Sequence, residues 1–365
     1  MYGRGSNEAR DSGFGYRSGV AVRIGIGLFT GQVPPGSDRT FVQEYREILD
    51  MARLAETLRF DSAWVSEHHG SSDGYTASLL PTLAAMAEAT EHITLGTGVV
   101  LAPLHDPLRL AEDAATVDLI SGGRLILGLG MGWRHEEFRM FGVPFRERVR
   151  RTVETVEILR RAWTGERFSY EGRAYSFDRV KVTPTPAREG GVPIYLGGSV
   201  EASIRRAGRL ADGYIRTRGG GLEHARQDVH WAEEAAREAG KEPAALGYAQ
   251  LQNTFVWDDG DAFEKVRPWL VHQLGVYGGW GAGSDTPADD SLTYLPPEEE
   301  VMRFLTVTGT PKEVAGRLRP LVEAFGGRQE FHLVVRLHYP GMPFETAARA
   351  MELFAEQVIP ALKGS

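Results

Sequence analysis

The sequence predicts an α/β fold, a single parallel (β/α)8 TIM barrel. Short unbroken apolar runs recur along the chain, and each is followed by a stretch carrying one apolar stripe at helical spacing. The alternation repeats eight times, which suits a closed barrel better than an open sheet. A length of 365 residues fits as well, because such barrels occupy roughly 250 to 400 residues as one unit.

The predicted elements run as follows. Val22 to Phe29 is the first apolar run, and Phe41 to Leu58 follows with Tyr45, Ile48, Ala52 and Ala55 on one helical face. Asp61 to Ser66 is the second strand and Ser78 to Thr90 its helix. Ile93 to Leu101 leads to a helix from Pro107 to Ile120, with proline at the favoured first-turn position. Arg124 to Leu129 is the fourth strand, and its helix lies near Glu147 to Trp163. Phe168 to Val182 reads as an inserted hairpin before the strand Val192 to Leu196. A helix over Glu201 to Leu210, a short strand over Gly213 to Thr217 and a helix over Leu222 to Ala239 come next. Leu246 to Trp257 is the seventh strand. Lys312 to Phe325, Phe331 to Leu337 and Phe344 to Leu362 supply its helix, the eighth strand and the closing helix. Between Asp258 and Glu300 a Gly- and Asp-rich stretch with Trp269, Tyr277 and Trp280 reads as a long loop after strand seven, a lid over the site.

Composition narrows the function. Apolar residues make up 42% and charged residues 25%, the balance of a globular chain with a substantial core. A formal net charge of -8 leaves no basic footprint for nucleic acid or anionic lipid. Cysteine is absent, which excludes disulfides, thiolate metal sites and cysteine nucleophiles. The first twenty residues, Met1 to Val20, are rich in Gly, Ser and Arg and lack the apolar run of a secretory signal. They read as a disordered N-terminal extension ahead of one domain over 21–365, and the expected location is cytoplasmic. No segment approaches the ~18 unbroken apolar residues that span a membrane.

In such barrels the chemistry sits just past the carboxyl ends of the strands. At the second strand's end stand Glu67, His68 and His69. A histidine near neutrality can donate or accept a proton, and a carboxylate beside it can fix its tautomer. Adjacent histidines diverge, and no further cluster has ligand spacing, so no metal is expected. Gly128, Gly130 and Gly132 alternate at the end of strand four, removing side chains where a flat ring or a backbone must approach. The third glycine of a dinucleotide fingerprint is missing there. Gly197, Gly198 and Ser199 open a helix after strand five, where free amides and the helix dipole can cradle an anion, with Arg148 as a candidate cation. Thr97, Gly98 and Val99 close the third strand, where glycine would let backbone approach a ligand.

Taken together these segments resemble the bacterial luciferase-like superfamily of flavin-dependent oxidoreductases. Val65 to His69, Leu95-Gly96-Thr97, Asp106 to Asp113, and Gly123-Arg124 leading to Gly130 match it in order and spacing. The match runs from about Ile24 to Gly213, with weaker support from Gly309 to Val314 onward. The resemblance implies a reduced flavin over the barrel mouth, its phosphate near Gly198 and Ser199, with Glu67 and Met131 among the residues around it. It makes His68 the catalytic histidine and Gly98-Val99 a non-prolyl cis peptide beneath the ring. It pairs His69 with Glu112 across a homodimer interface. Gly130 replaces the reactive cysteine of luciferase, and Met131 stands where luciferase has a phosphate-binding arginine, so light emission from long-chain aldehydes is not expected.

The favoured expectation is a two-component monooxygenase, in which reduced FMN from a separate flavin reductase reacts with oxygen to attack a small organic substrate. The alternative is a dehydrogenase or reductase passing hydride to or from the deazaflavin coenzyme F-420, since Gly130 to Trp133 resembles members assigned to that group. A flavin-binding homologue without turnover is the third.

Overall fold

A computed structural model describes residues 22–217, 221–282, 297–326, 328 and 330–364. The expected N-terminal extension lies outside the described residues. The elements are β1 (Val22–Phe29), α1 (Phe41–Thr57), β2 (Ser62–Val65), α2 (Leu79–Ala89), β3 (Thr94–Thr97), β4 (Val100–Leu101), α3 (Pro107–Ile120) and β5 (Leu125–Gly130). Next come α4 (His135–Met140), α5 (Arg148–Ala162), β6 (Phe168–Glu171), β7 (Ser176–Val180), β8 (Ile194–Gly198), α6 (Glu201–Leu210), β9 (Gly213–Arg216) and α7 (Gly221–Glu238). The remainder is β10 (Gly247–Val256), α8 (Ala262–Ala282), α9 (Glu299–Leu305), β11 (Thr306–Gly309), α10 (Pro311–Ala324), β12 (Glu330–Arg336), α11 (Phe344–Leu353) and α12 (Ile359–Lys363).

The strands pair in parallel in the order β1-β2-β3-β5-β8-β9-β10-β12, and β12 pairs back onto β1, so the sheet is a closed eight-stranded barrel. The caps are the ones the sequence asks for. Thr40 and Gln43 form a capping box on α1, Thr310 and Glu313 one on α10, and Asp106 caps α3 ahead of Pro107. The predicted hairpin is β6 and β7, an antiparallel pair outside the barrel.

The structure departs from the expected elements in several places, among them the unexpected short helices α4 and α9. The third strand breaks into β3 and β4 at the Gly98-Val99 peptide, which is cis. A further strand, β11, pairs with the last four residues of β10; its Thr306-Val307-Thr308 is too short and too polar to stand out as a strand. The supposed loop from Asp258 is mostly helix: α8 runs over twenty-one residues, with Pro268 inside it. Its four glycines and four aromatics mask the helical period in the sequence, and its burial against the barrel mouth, not its propensity, holds it.

Aromatic plugs fill the barrel. The Trp64 side chain is fully buried in the lumen with Ile126, Tyr195, Ile215, Ala249 and Val334. Room for the indole comes from glycines on the flanking strands: a methyl on Gly96 would lie 2.3 to 2.6 Å from its ring carbons, and one on Gly25 3.1 Å from its Nε1. Tyr195 is housed the same way by Gly213 and Gly247. A second, larger apolar layer lies between strands and helices.

Gly96→Ala therefore overpacks a rigid ring and should lose about 1 to 3 kcal/mol in urea unfolding with unchanged m. Gly316 in α10 has nothing within 4 Å of an added methyl, so Gly316→Ala should gain up to about 1 kcal/mol from helix propensity alone.

Candidate active site

A cavity of about 560 Å³ opens at the carboxyl ends of the strands, within the size range of small-molecule sites. Backbone-rich turns form one wall: Gly27, Gly98, Val99, Gly130, Met131, Gly197, Gly198 and Ser199, with Arg148 at its edge. Gly130 is needed for packing, since a methyl there would sit 2.4 Å from the Val99 side chain. The Arg148 guanidinium stacks on Phe145 at 3.9 Å and donates to the Phe145 carbonyl at 3.1 Å. No carboxylate among the described residues pairs with it. Thr97 does not face the cavity; its hydroxyl donates to the Gly128 carbonyl at 2.8 Å and ties β3 to β5. Met131 lines the wall while its sulfur accepts from Arg206 at 3.2 Å.

His68 is buried at the cavity wall, packed among Tyr75, Trp133, Tyr277 and Trp280 with ring centroids 4.7 to 6.0 Å away. Its Nδ1 lies 2.8 Å from Oε1 of the fully buried Glu137. Glu137 also accepts from the His69 amide at 2.9 Å and has Arg134 at 3.6 Å. A carboxylate that accepts the Nδ1 proton leaves the Nε2 lone pair of a neutral ring for chemistry. Nε2 has no protein partner among the described residues. Glu137 was not legible in the sequence: it stands 69 residues from His68, on the six-residue α4, and only the fold brings the two together.

Glu67 and His69 are tied into one buried cluster. Glu67 lines the cavity, but its carboxylate turns inward, accepting from His69 Nε2 at 2.6 Å, His105 Nε2 at 2.9 Å and the Leu101 amide at 2.9 Å. Glu67, His69 and His105 bring donor atoms within 4.8 Å of one another, and those atoms are spent on bonds among themselves. His69 is buried and stacked edge-on to Phe141. Glu112, its expected partner, lies on the outer side of α3 beside Arg109 at 3.6 Å.

The far wall is polar: Gln250, Gln252, Asn253, Gln273, Tyr277 and Arg336. Sequence reasoning missed all of these except Tyr277, because single amides and a single arginine within a strand or helix give no chemical signature. Helix α8 closes this side. His272 lies 3.0 Å from Asp73, and Tyr277 bonds Tyr75 at 2.9 Å, so α8 is docked on the loop after β2 beside His68.

Burial pushes the Glu67 carboxyl up and the His105 imidazole down, but their mutual hydrogen bond and attraction win, with His69 adding to the pull on Glu67. Glu67 is held at about 2 and His105 above its ordinary 6.5. The histidine's contribution to stability is complete below 6.5 and fades as pH rises through its raised value; the carboxylate's is complete above 4.5 and fades toward about 2. The pair is therefore most stabilising between pH 4.5 and 6.5. His105→Gln should lower Tm more at pH 6 than at pH 9 in thermal scans; equal losses at both would mean that the ion pair adds nothing.

The chain matches the family described as luciferase-like monooxygenase over residues 22–329. It is 30% identical over 330 residues to an F420-dependent glucose-6-phosphate dehydrogenase of Intrasporangium calvum, covering 87% of this chain and 95% of that protein. It is equally 30% identical to the enzyme of that name in Nocardia farcinica, over 87% and 94% of the two chains. Among solved structures, the monooxygenase RslO1 of Streptomyces bottropensis superposes with a TM-score of 0.78 at 28% identity, over 93% and 99% of the two chains. The expectation of an FMN- and oxygen-using monooxygenase is corrected by the curated relatives: matched over nearly their whole length, they are named as dehydrogenases that depend on F420. On the family match and these identities, this chain belongs to the luciferase-like family of oxidoreductases.

Proposed function

We propose that this protein is a dehydrogenase that oxidises a small hydroxylated substrate with the deazaflavin coenzyme F-420 as hydride acceptor. The observation that carries the reading is the buried His68–Glu137 dyad, with the free Nε2 of His68 at a cavity whose opposite wall is rich in amides. Oxidising an alcohol requires a base for the hydroxyl proton as the hydride leaves carbon, and Nε2 is that base. Glu137 keeps the lone pair on Nε2 and steadies the imidazolium that forms, as carboxylates do for catalytic histidines elsewhere. Tyr75, Trp133, Tyr277 and Trp280 exclude water around the ring. The names of the curated relatives support the same reaction class.

The residues present suit the coenzyme. A flat ring system fits the bare backbone wall of Gly98, Val99 and Gly130, and its phosphate suits the amides of Gly197 to Ser199 ahead of the ten-residue α6. Arg148, without a carboxylate partner, adds positive charge at that end. The deazaflavin supplies a two-electron hydride acceptor when bound. In this reaction the separate reductase expected for a reduced-FMN enzyme has no place.

With purified protein, oxidised F-420 and a panel of sugar phosphates and secondary alcohols, bleaching of the coenzyme's visible absorbance should accompany substrate oxidation. His68→Asn should keep F-420 affinity and lose turnover by about 100-fold or more. Failure to bind F-420, with oxygen consumed on adding reduced FMN, would overturn the reading.

A further inference from the structure

Arg336 ends β12 on the cavity's far wall and is 5% exposed. Its backbone is paired with β10, but among the described residues its guanidinium makes neither a hydrogen bond nor an ion pair. A buried guanidinium is costly unless something compensates it, and five N–H donors at a cavity wall are suited to a planar or tetrahedral oxyanion. No protein group nearby takes that role: the Tyr277 hydroxyl is bound to Tyr75, and burial pushes it well above its ordinary value, so it stays neutral.

A second orphan faces the same space. Gln273 of α8 is 2% exposed, and its Oε1 has no partner among the described residues. It lines the cavity with Asn253 and with Gln252, whose amide donates to the Asn253 carbonyl at 2.9 Å. Gln250, by contrast, is already used, accepting from Arg216 at 2.7 Å. The far wall thus offers one uncompensated cation and one unfilled amide acceptor.

This cation is separate from the cradle assigned to the coenzyme phosphate. Around the barrel β8, which carries Gly197 and Gly198, is followed by β9, β10 and β12, so Arg336 stands three strands away. We propose that Arg336 is the anion-recognition residue of the substrate subsite, and that the substrate is a small hydroxylated molecule bearing a phosphate or carboxylate group. Gln273 accepts a hydrogen bond from one of its hydroxyls. The inference deepens the dehydrogenase reading and rests on it for what the anion belongs to.

The test is calorimetric titration of the protein saturated with oxidised F-420, so that the coenzyme cradle is filled, with inorganic phosphate and with acetate as probes. Wild type should bind one equivalent of at least one probe, and the tighter of the two identifies the anion class. Arg336→Gln should weaken that binding at least 10-fold, Arg336→Lys by less, and both should leave F-420 affinity unchanged. The proposal falls if wild type binds neither probe, if Arg336→Gln binds as wild type does, or if Arg336→Gln loses F-420 instead. Should F-420 not bind at all, the dehydrogenase reading falls by itself. Titration of the coenzyme-free Arg148→Gln protein, with and without Arg336→Gln, then reads the Arg336 subsite alone. Should Arg336→Gln fail to fold, the Lys variant and the thermal shift of wild type by phosphate over chloride decide instead.

Discussion

A closed barrel has to fill its own interior, and the rest of this molecule follows from how it does so. Trp64 and Tyr195 occupy the lumen, and neighbouring strands carry glycine where those rings lie. The polar ends of the plugs are satisfied in a buried chain. Trp64 Nε1 donates to Ser62 Oγ at 2.9 Å, which lies 2.9 Å from His332 Nδ1. His332 lies 3.2 Å from Glu330, which accepts from Tyr195 at 2.9 Å. Burial alone would push Glu330 up, yet His332 and Tyr195 hold it at about 2. These groups sit at or near the strands' amino ends, so that end is closed by packing and the carboxyl end is left for a cavity.

Above the plug, polar residues fall into two kinds. Some are spent on architecture: Glu67 gathers His69, His105 and the Leu101 amide, and thereby ties the loop after β2 to the turn after β4. Others keep an atom in reserve at the cavity, namely Nε2 of His68, the guanidinium of Arg336 and Oε1 of Gln273. Buried polar groups are ordinarily paired, so those left open at a cavity mark where a ligand completes the structure. Helix α8 belongs to both kinds, since Tyr277 and Trp280 wall in His68 while Gln273 reaches the opposite side.

Much of this was legible in the sequence, for identifiable reasons. Parallel strands buried on both faces read as apolar runs, and amphipathic helices read through their stripes, so the eight units and the hairpin emerged directly. His68, Gly98, Val99, Gly130 and Gly197 to Ser199 were legible because strand ends and glycine clusters are local features. Helix α8 was not, because glycine and aromatics outweigh its period and its stability comes from the surface it covers. Glu137 and Arg336 were not, because a single acidic residue on a short helix and a single arginine ending a strand look like ordinary solvated charges.

The sequence by itself determined the barrel, the strand end that carries His68 and the family to which the chain belongs, since each is written in residues close together along the chain. Only the tertiary structure decided which polar atoms are spent and which are open. It turned Glu67 and His69 inward, supplied Glu137 to His68 and left the buried Arg336 guanidinium without a partner among the described residues. Pairing across the chain depends on the distance and burial of groups tens to hundreds of residues apart, and closure of the barrel sets both.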